Sequence, residues 1–191
     1  MEAVAAGHEV AVLARDPSRL ASLPPAVTVV TGDVCAAAAV RAVLARAECV
    51  LSAIGSAGVA APGTAISAGM RVIIAGMEAC GLARIVALAG GGVLDADGGG
   101  LRQDAPGFPP VFRLVSAEHR SGWESLRASA LDWTLICTPD LTDAPAESQY
   151  RVLADRMPAG GRRVPRADVA RFMLNELTAG HYLRRRVGLA N

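Results

Sequence analysis

Three side chains in this chain of 191 residues stand where they could hold a ligand or move a proton. Arg15 closes the apolar run Glu9 to Ala14 (EVAVLA), and its planar fork of donors suits a phosphate. The same position reads equally as a solvated Arg opening a short helix capped by Asp16. Asp33, in Gly32-Asp33-Val34, offers a carboxylate acceptor with an apolar ring contact beside it, or a cap for the helix that follows. His119 lies on a helical segment after a long loop, and its ordinary titration range suits proton donation. The plainer alternative is an exposed helical His. His8 and His181 sit in turn-like or terminal contexts. Trp123, Phe108 and Phe112 serve either a substrate wall or the ordinary core.

Composition removes several chemistries. All 19 basic residues are Arg, so a Schiff-base Lys, a P-loop Lys and a Tyr/Lys proton-transfer pair are excluded. Cys35, Cys49, Cys80 and Cys137 show no C-x-x-C spacing, which leads us to expect buried free thiols in a reducing cytoplasm and no metal site. A net charge of +1 gives no electrostatic footprint for nucleic acid. Mean hydropathy is high at +0.34, yet the apolar runs are broken by Gly, Pro and Arg, so no membrane span is expected.

The elements that must position these residues alternate. Met1 to Ala6 reads as the end of a helix, with Gly7 as its C-terminal cap. Strands are predicted at Glu9–Ala14, Val27–Val30, Cys49–Ala53, Ile85–Leu88 and Trp133–Cys137. Helices are predicted at Ala36–Ala47, Gly63–Cys80, Ala117–Ser129 and Pro165–Leu177. This alternation predicts one α/β domain over residues 1–191, a Rossmann-type doubly wound parallel sheet covered on both faces. Two stretches, 90–110 and 138–163, are too long for plain connections and are expected to form the substrate side. The run Arg184-Arg185-Arg186 reads as a solvated strand or tail.

Ligands of such sheets bind beyond the carboxyl ends of the strands. An Arg directly after the second strand of this fold faces the 2′-phosphate of NADP, where an acidic residue would favour NAD. Ser52-Ala53-Ile54-Gly55-Ser56 supplies small residues for close cofactor approach, and Leu88-Ala89-Gly90-Gly91-Gly92 forms either a nicotinamide-side contact or a plain flexible loop.

The segments ARDPSRL, VTGDV, VLSAIG, ACGLARIVALAG, LRASALDWTLICTPDL and RVPRADVARFML occur in one order across nearly the whole chain. That ordered set resembles the atypical short-chain dehydrogenase-like, NmrA-like group of NAD(P)H-binding proteins, and is most similar to the biliverdin-IXβ reductase/flavin reductase type. The resemblance implies an NADPH-dependent reductase passing hydride to a flavin, tetrapyrrole, quinone or similar planar acceptor, acting as a monomer or weak homo-oligomer. It implies that Arg15 holds the 2′-phosphate and that Asp33 and Val34 flank adenine. Ala53, Ile54 and Gly55 would line the middle of the cofactor. Leu88, Ala89 and Gly90 would face the nicotinamide, with Pro139, Asp140 and Leu141 as the opposite wall and His119 as the catalytic residue.

Two departures from the family pattern stand out. Ala89 and Gly90 replace a usual Ser or Thr, and Asp140 replaces a usual His or Gly-like position. A non-catalytic NAD(P)-sensing regulator and a truncated inactive remnant are therefore the competing readings. The family's first strand and its glycine-rich turn, whose amides hold the pyrophosphate, have no counterpart in the sequence as given. That strand is central in the sheet, so two strands should each lack a partner, and the true start is expected upstream of Met1.

Overall fold

The computed structural model describes residues 2–191. β-Branched and apolar runs form the strands β1 (Ala11–Ala14), β2 (Thr28–Thr31), β3 (Cys49–Ser52), β4 (Arg84–Gly90) and β5 (Asp132–Thr138). Between them lie α1 (Glu2–Ala5), α2 (Ala37–Leu44), α3 (Ala65–Ala79) and α4 (Arg113–Ala128). The remainder holds β6 (Asp140–Thr142), β7 (Arg151–Ala154), β8 (Arg163–Pro165), α5 (Arg166–Ala179) and β9 (Arg185–Ala190). In α3 the apolar residues Ile66, Met70, Ile73, Ile74 and Met77 recur at helical spacing, and all five are buried. Both α1 and α5 stop at glycines of positive φ, Gly7 after α1 and Gly180 directly after α5.

Five strands form the main sheet in the order β3-β4-β5-β9-β7, with β7 alone antiparallel to its neighbour. β1 and β2 pair in parallel as a separate two-stranded sheet, so β1 and β3 each keep one edge without a strand partner among the described residues.

Side chains alternate across the main sheet, as the pleat requires. Ile85, Ala87, Ala89, Trp133, Leu135 and Cys137 join the core under α2, α3 and α4. Val86, Ile136, Val187 and Leu189 join Val169 and Met173 of α5 on the other face. The result is the doubly wound α/β arrangement expected, with most boundaries shifted by a few residues.

Three expectations are corrected. The stretch 138–163 is not simply irregular, because it contains β6 and β7, and β8 follows at its end. Strands of three or four residues are too short to show a period-2 pattern. Its loop is pinned where buried Asp168 accepts from the amides of Glu147 at 2.9 Å and Ser148 at 3.1 Å. The triple Arg does begin a strand, but β9 is an interior one, and Arg186 is only 8% exposed. Its guanidinium is neutralised by Asp95 and Asp155 and also donates to the Val93 carbonyl at 2.6 Å. The thiols are not uniformly buried either. Cys137 is, but Cys35 and Cys80 are exposed because they sit in the turn after β2 and at the end of α3. No helix among the described residues is long and apolar enough to cross a membrane.

Candidate functional site

The parallel register of β1 and β2 places Ala14 opposite Thr31, so Arg15 and Gly32-Asp33 emerge side by side at the carboxyl ends. Asp33 does not cap α2, whose preceding residue Ala36 makes no side-chain cap. Instead its Oδ1 accepts from the Cys35 amide at 2.8 Å. That amide, and to a lesser degree the nearby Arg15 charge, hold the carboxyl below its ordinary range. Arg15 is exposed and makes no ion pair among the described residues. Asp16 caps the 3-10 turn that follows, through the Ser18 amide at 3.0 Å.

Val34 and Ile54 meet against α3. A Cβ on Gly69 would stand 2.7 Å from Val34 Cγ1 and 3.4 Å from Ile54 Cδ1, so both side chains pack where the helix carries only hydrogen. Their apolar bulk is half-buried in this contact, while Ala53 and Gly55 stay exposed at the end of β3.

At the centre of the sheet, Ala89 pairs with Cys137 and Gly90 with Thr138, which brings Pro139 beside the end of β4. Leu88 turns its side chain to the α5 face, and Leu141 packs there as well. These two can reach the carboxyl end only through their backbones. Ala89 is 4% exposed and packs under α3 and α4. Asp140 is exposed in β6, where it pairs with Arg163 of β8.

Of the three glycines after Ala89, Gly91 and Gly92 are closely enclosed, so the segment is not a plain flexible loop. A Cβ on Gly90 would lie 3.4 Å from His119 Cδ2 and 3.7 Å from its Nε2. On Gly91 it would meet Met157 Cε at 2.6 Å. On Gly92 it would meet Ser116 Oγ at 2.6 Å and Phe108 Cζ at 3.2 Å. His119 and Ser116 of α4 therefore both face this loop. Sequence reading picked out His119 and missed Ser116; its spacing of three residues from His119 on one helix was the available signal.

The electrostatics of His119 correct one expectation. Burial pushes its pKa down to about 4, against a weaker opposing pull from Glu118. The ring is neutral near pH 7, and its Nδ1 is buried with no hydrogen-bond partner. A neutral imidazole can donate or accept one hydrogen bond, but it is not a standing acid. Phe112, considered for a pocket wall, is 38% exposed, whereas Trp123 is buried about one turn of α4 beyond His119.

A family model described as NAD(P)H-binding matches residues 1–179. Among solved structures, a provisionally named exported protein from Burkholderia pseudomallei superposes with a TM-score of 0.83 at 25% identity, covering 100% of this chain and 91% of that one. A provisionally named NADH-flavin reductase from Streptococcus pneumoniae gives 0.83 at 21% identity, covering 100% and 90%. An anaerobillin reductase from Escherichia coli gives 0.80 at 22% identity, covering 99% and 87%. The last two likenesses establish a shared fold.

Proposed function

This chain belongs to the NAD(P)H-binding family, and from that premise we propose that it is an NADPH-dependent reductase of a small planar acceptor such as a flavin, tetrapyrrole or quinone. The observation that carries the proposal is the enclosure of Gly90 to Gly92 by His119 and Ser116 at the carboxyl end of a central strand. Gly91 and Gly92 let Met157, Ser116 and Phe108 pack directly against the backbone, which sets the shape of the loop at the end of the strand. The dinucleotide, when bound, supplies the hydride. Arg15 binds the 2′-phosphate, Asp33 accepts from the adenine amino group, and Val34, Ala53, Ile54 and Gly55 line the path between them. Ala89, Gly90, Pro139 and Asp140 bound the nicotinamide side, with Leu88 and Leu141 contributing backbone. His119, neutral at working pH, orients the acceptor by a single hydrogen bond, and the Ser116 hydroxyl stands in for the one Ala89 lacks. Hydride transfer to an acceptor of this kind proceeds mainly by positioning, with protons drawn from water.

The test is NADPH oxidation by the full-length protein with flavin, quinone and linear tetrapyrrole acceptors. Arg15→Gln should raise the KM for NADPH at least about tenfold and leave that for NADH unchanged. Unchanged turnover in His119→Ala would remove that residue from the mechanism. The lack of a hydroxyl at Ala89 favours a second reading, a regulator that binds NADPH without turning it over. Tight NADPH binding with no oxidation in the presence of any acceptor would establish that reading and overturn the reductase.

A further inference from the structure

A second cleft, of about 650 Å³, opens at the other end of the sheet. Trp133 is the second residue of β5, and Arg185 and Arg186 open β9 beside it, so these groups mark the amino ends of the strands. Thr138, at the carboxyl end of β5, lies roughly 16 Å further along the strand. The cleft is lined by Trp123, Trp133 and five arginines: Arg127, Arg156, Arg184, Arg185 and Arg186.

The charges of this cleft do not cancel. Arg185 pairs with Asp155, Arg186 with Asp95 and Asp155, and Arg156 with Asp97. Arg127 and Arg184 have no carboxylate partner among the described residues. Arg184 donates only to the carbonyls of Arg127, Ser129 and Leu131, and the Arg127 guanidinium lies 5.0 Å from the centre of the Trp123 ring. Arg186 lies against the same indole at 4.4 Å. The Trp123 ring therefore lies against two cations, Arg186, which is paired, and Arg127, which has no carboxylate partner, while the unpaired Arg184 stands in the same cleft.

A second observation is independent of charge. Trp123 is 9% and Trp133 3% exposed, and the Nε1 of each is buried without a hydrogen-bond acceptor. Buried indole donors normally find partners, because leaving one unpaired costs free energy. Two such donors in the walls of one cleft mark a surface that packing has left incomplete.

We propose that this cleft is a binding site for a planar aromatic dianion, its ring lodged against the tryptophans and its charged end on Arg127 and Arg184. The ring displaces the Arg127 guanidinium from the face of Trp123. The charged end is a phosphate monoester or a pair of carboxylates, since both are dianions that match guanidinium geometry. The site does not depend on the cofactor reading and is assayed without NADPH.

The chain holds only two tryptophans, and both line this cleft, so intrinsic fluorescence reports on it alone. Phenyl phosphate should change that fluorescence saturably and bind at least about tenfold more tightly than inorganic phosphate or neutral benzyl alcohol. Phthalate in parallel distinguishes the two charged ends: the tighter of the two ligands identifies which is recognised. Arg127→Gln, at an exposed side chain, should weaken binding at least about fivefold with an unchanged circular dichroism spectrum, while Arg19→Gln should leave it as it was. No saturable response up to millimolar phenyl phosphate, equal binding of inorganic phosphate, or full affinity in Arg127→Gln would each overturn the proposal.

Discussion

Strands β1, β2 and β3 are made of the same residue types as β4, β5 and β9, yet their surroundings differ. Val86, Ile136 and Val187 are wholly buried at 0% exposure, because each strand has neighbours on both edges and helices on both faces. Val29 is 38% and Leu51 43% exposed, though both lie in parallel strands that would normally be covered on each side. Apolar character makes a strand, but the number of elements packed around it decides what that character contributes. The half of the molecule built on β1, β2 and β3 is thus the less covered one, and the half built on β4, β5 and β9 is sealed.

Mutations on the two sides should separate them sharply. Ile136→Ala should cost the most, about 3 kcal/mol by chemical denaturation, because it opens a cavity in a sealed layer. The next largest effect concerns His119. Its folded pKa of about 4 lies below the ordinary 6.5, so the unfolded chain binds the extra proton first. Stability should therefore fall as pH drops from about 6.5 to about 4, by at most about 3 kcal/mol, with no contribution above that window. His119→Asn should flatten this part of the profile, and a His119 imidazole, assigned by its loss in that variant, titrating near pH 6.5 by NMR would contradict it.

Leu51→Ala should cost less than about 1 kcal/mol, since the side chain is already in contact with solvent. If it costs as much as Ile136→Ala, the face of β3 is covered in solution and the contrast between the halves disappears. The smallest perturbation is chemical labelling of the native protein. Cys35, exposed but with its thiol held above its ordinary range by desolvation and the Asp33 carboxylate, should react with a maleimide in the native protein, and faster as the pH rises. Cys137, fully buried with its pKa pushed up by burial to about 12, should stay protected until the chain unfolds.

Much of this was legible from residues alone. The five parallel strands and the long helices follow from apolar runs and helical spacing, and the placement of Arg15 and Asp33 at strand ends follows from the strand runs. The short strands β6, β7 and β8 were not, because three or four residues carry no usable period. Ser116 was passed over for a different reason. Its relation to Gly92 depends on how α4 lies across the sheet, which no local pattern specifies.

The sequence by itself determined the chemistry available: no lysine, one His placed near a strand end, glycines after Ala89, and an Arg where a phosphate could be met. Only the tertiary structure decided the state of those groups. Desolvation between α4 and the end of β4 keeps His119 neutral, and the pleat turns Leu88 to the α5 face, opposite to Ala87 and Ala89. The path of β9 between β5 and β7 converts an arginine run that reads as solvent-exposed into one wall of a tryptophan-lined cleft. Burial, facing and charge compensation are relations between distant segments, so they arise only when the chain is packed.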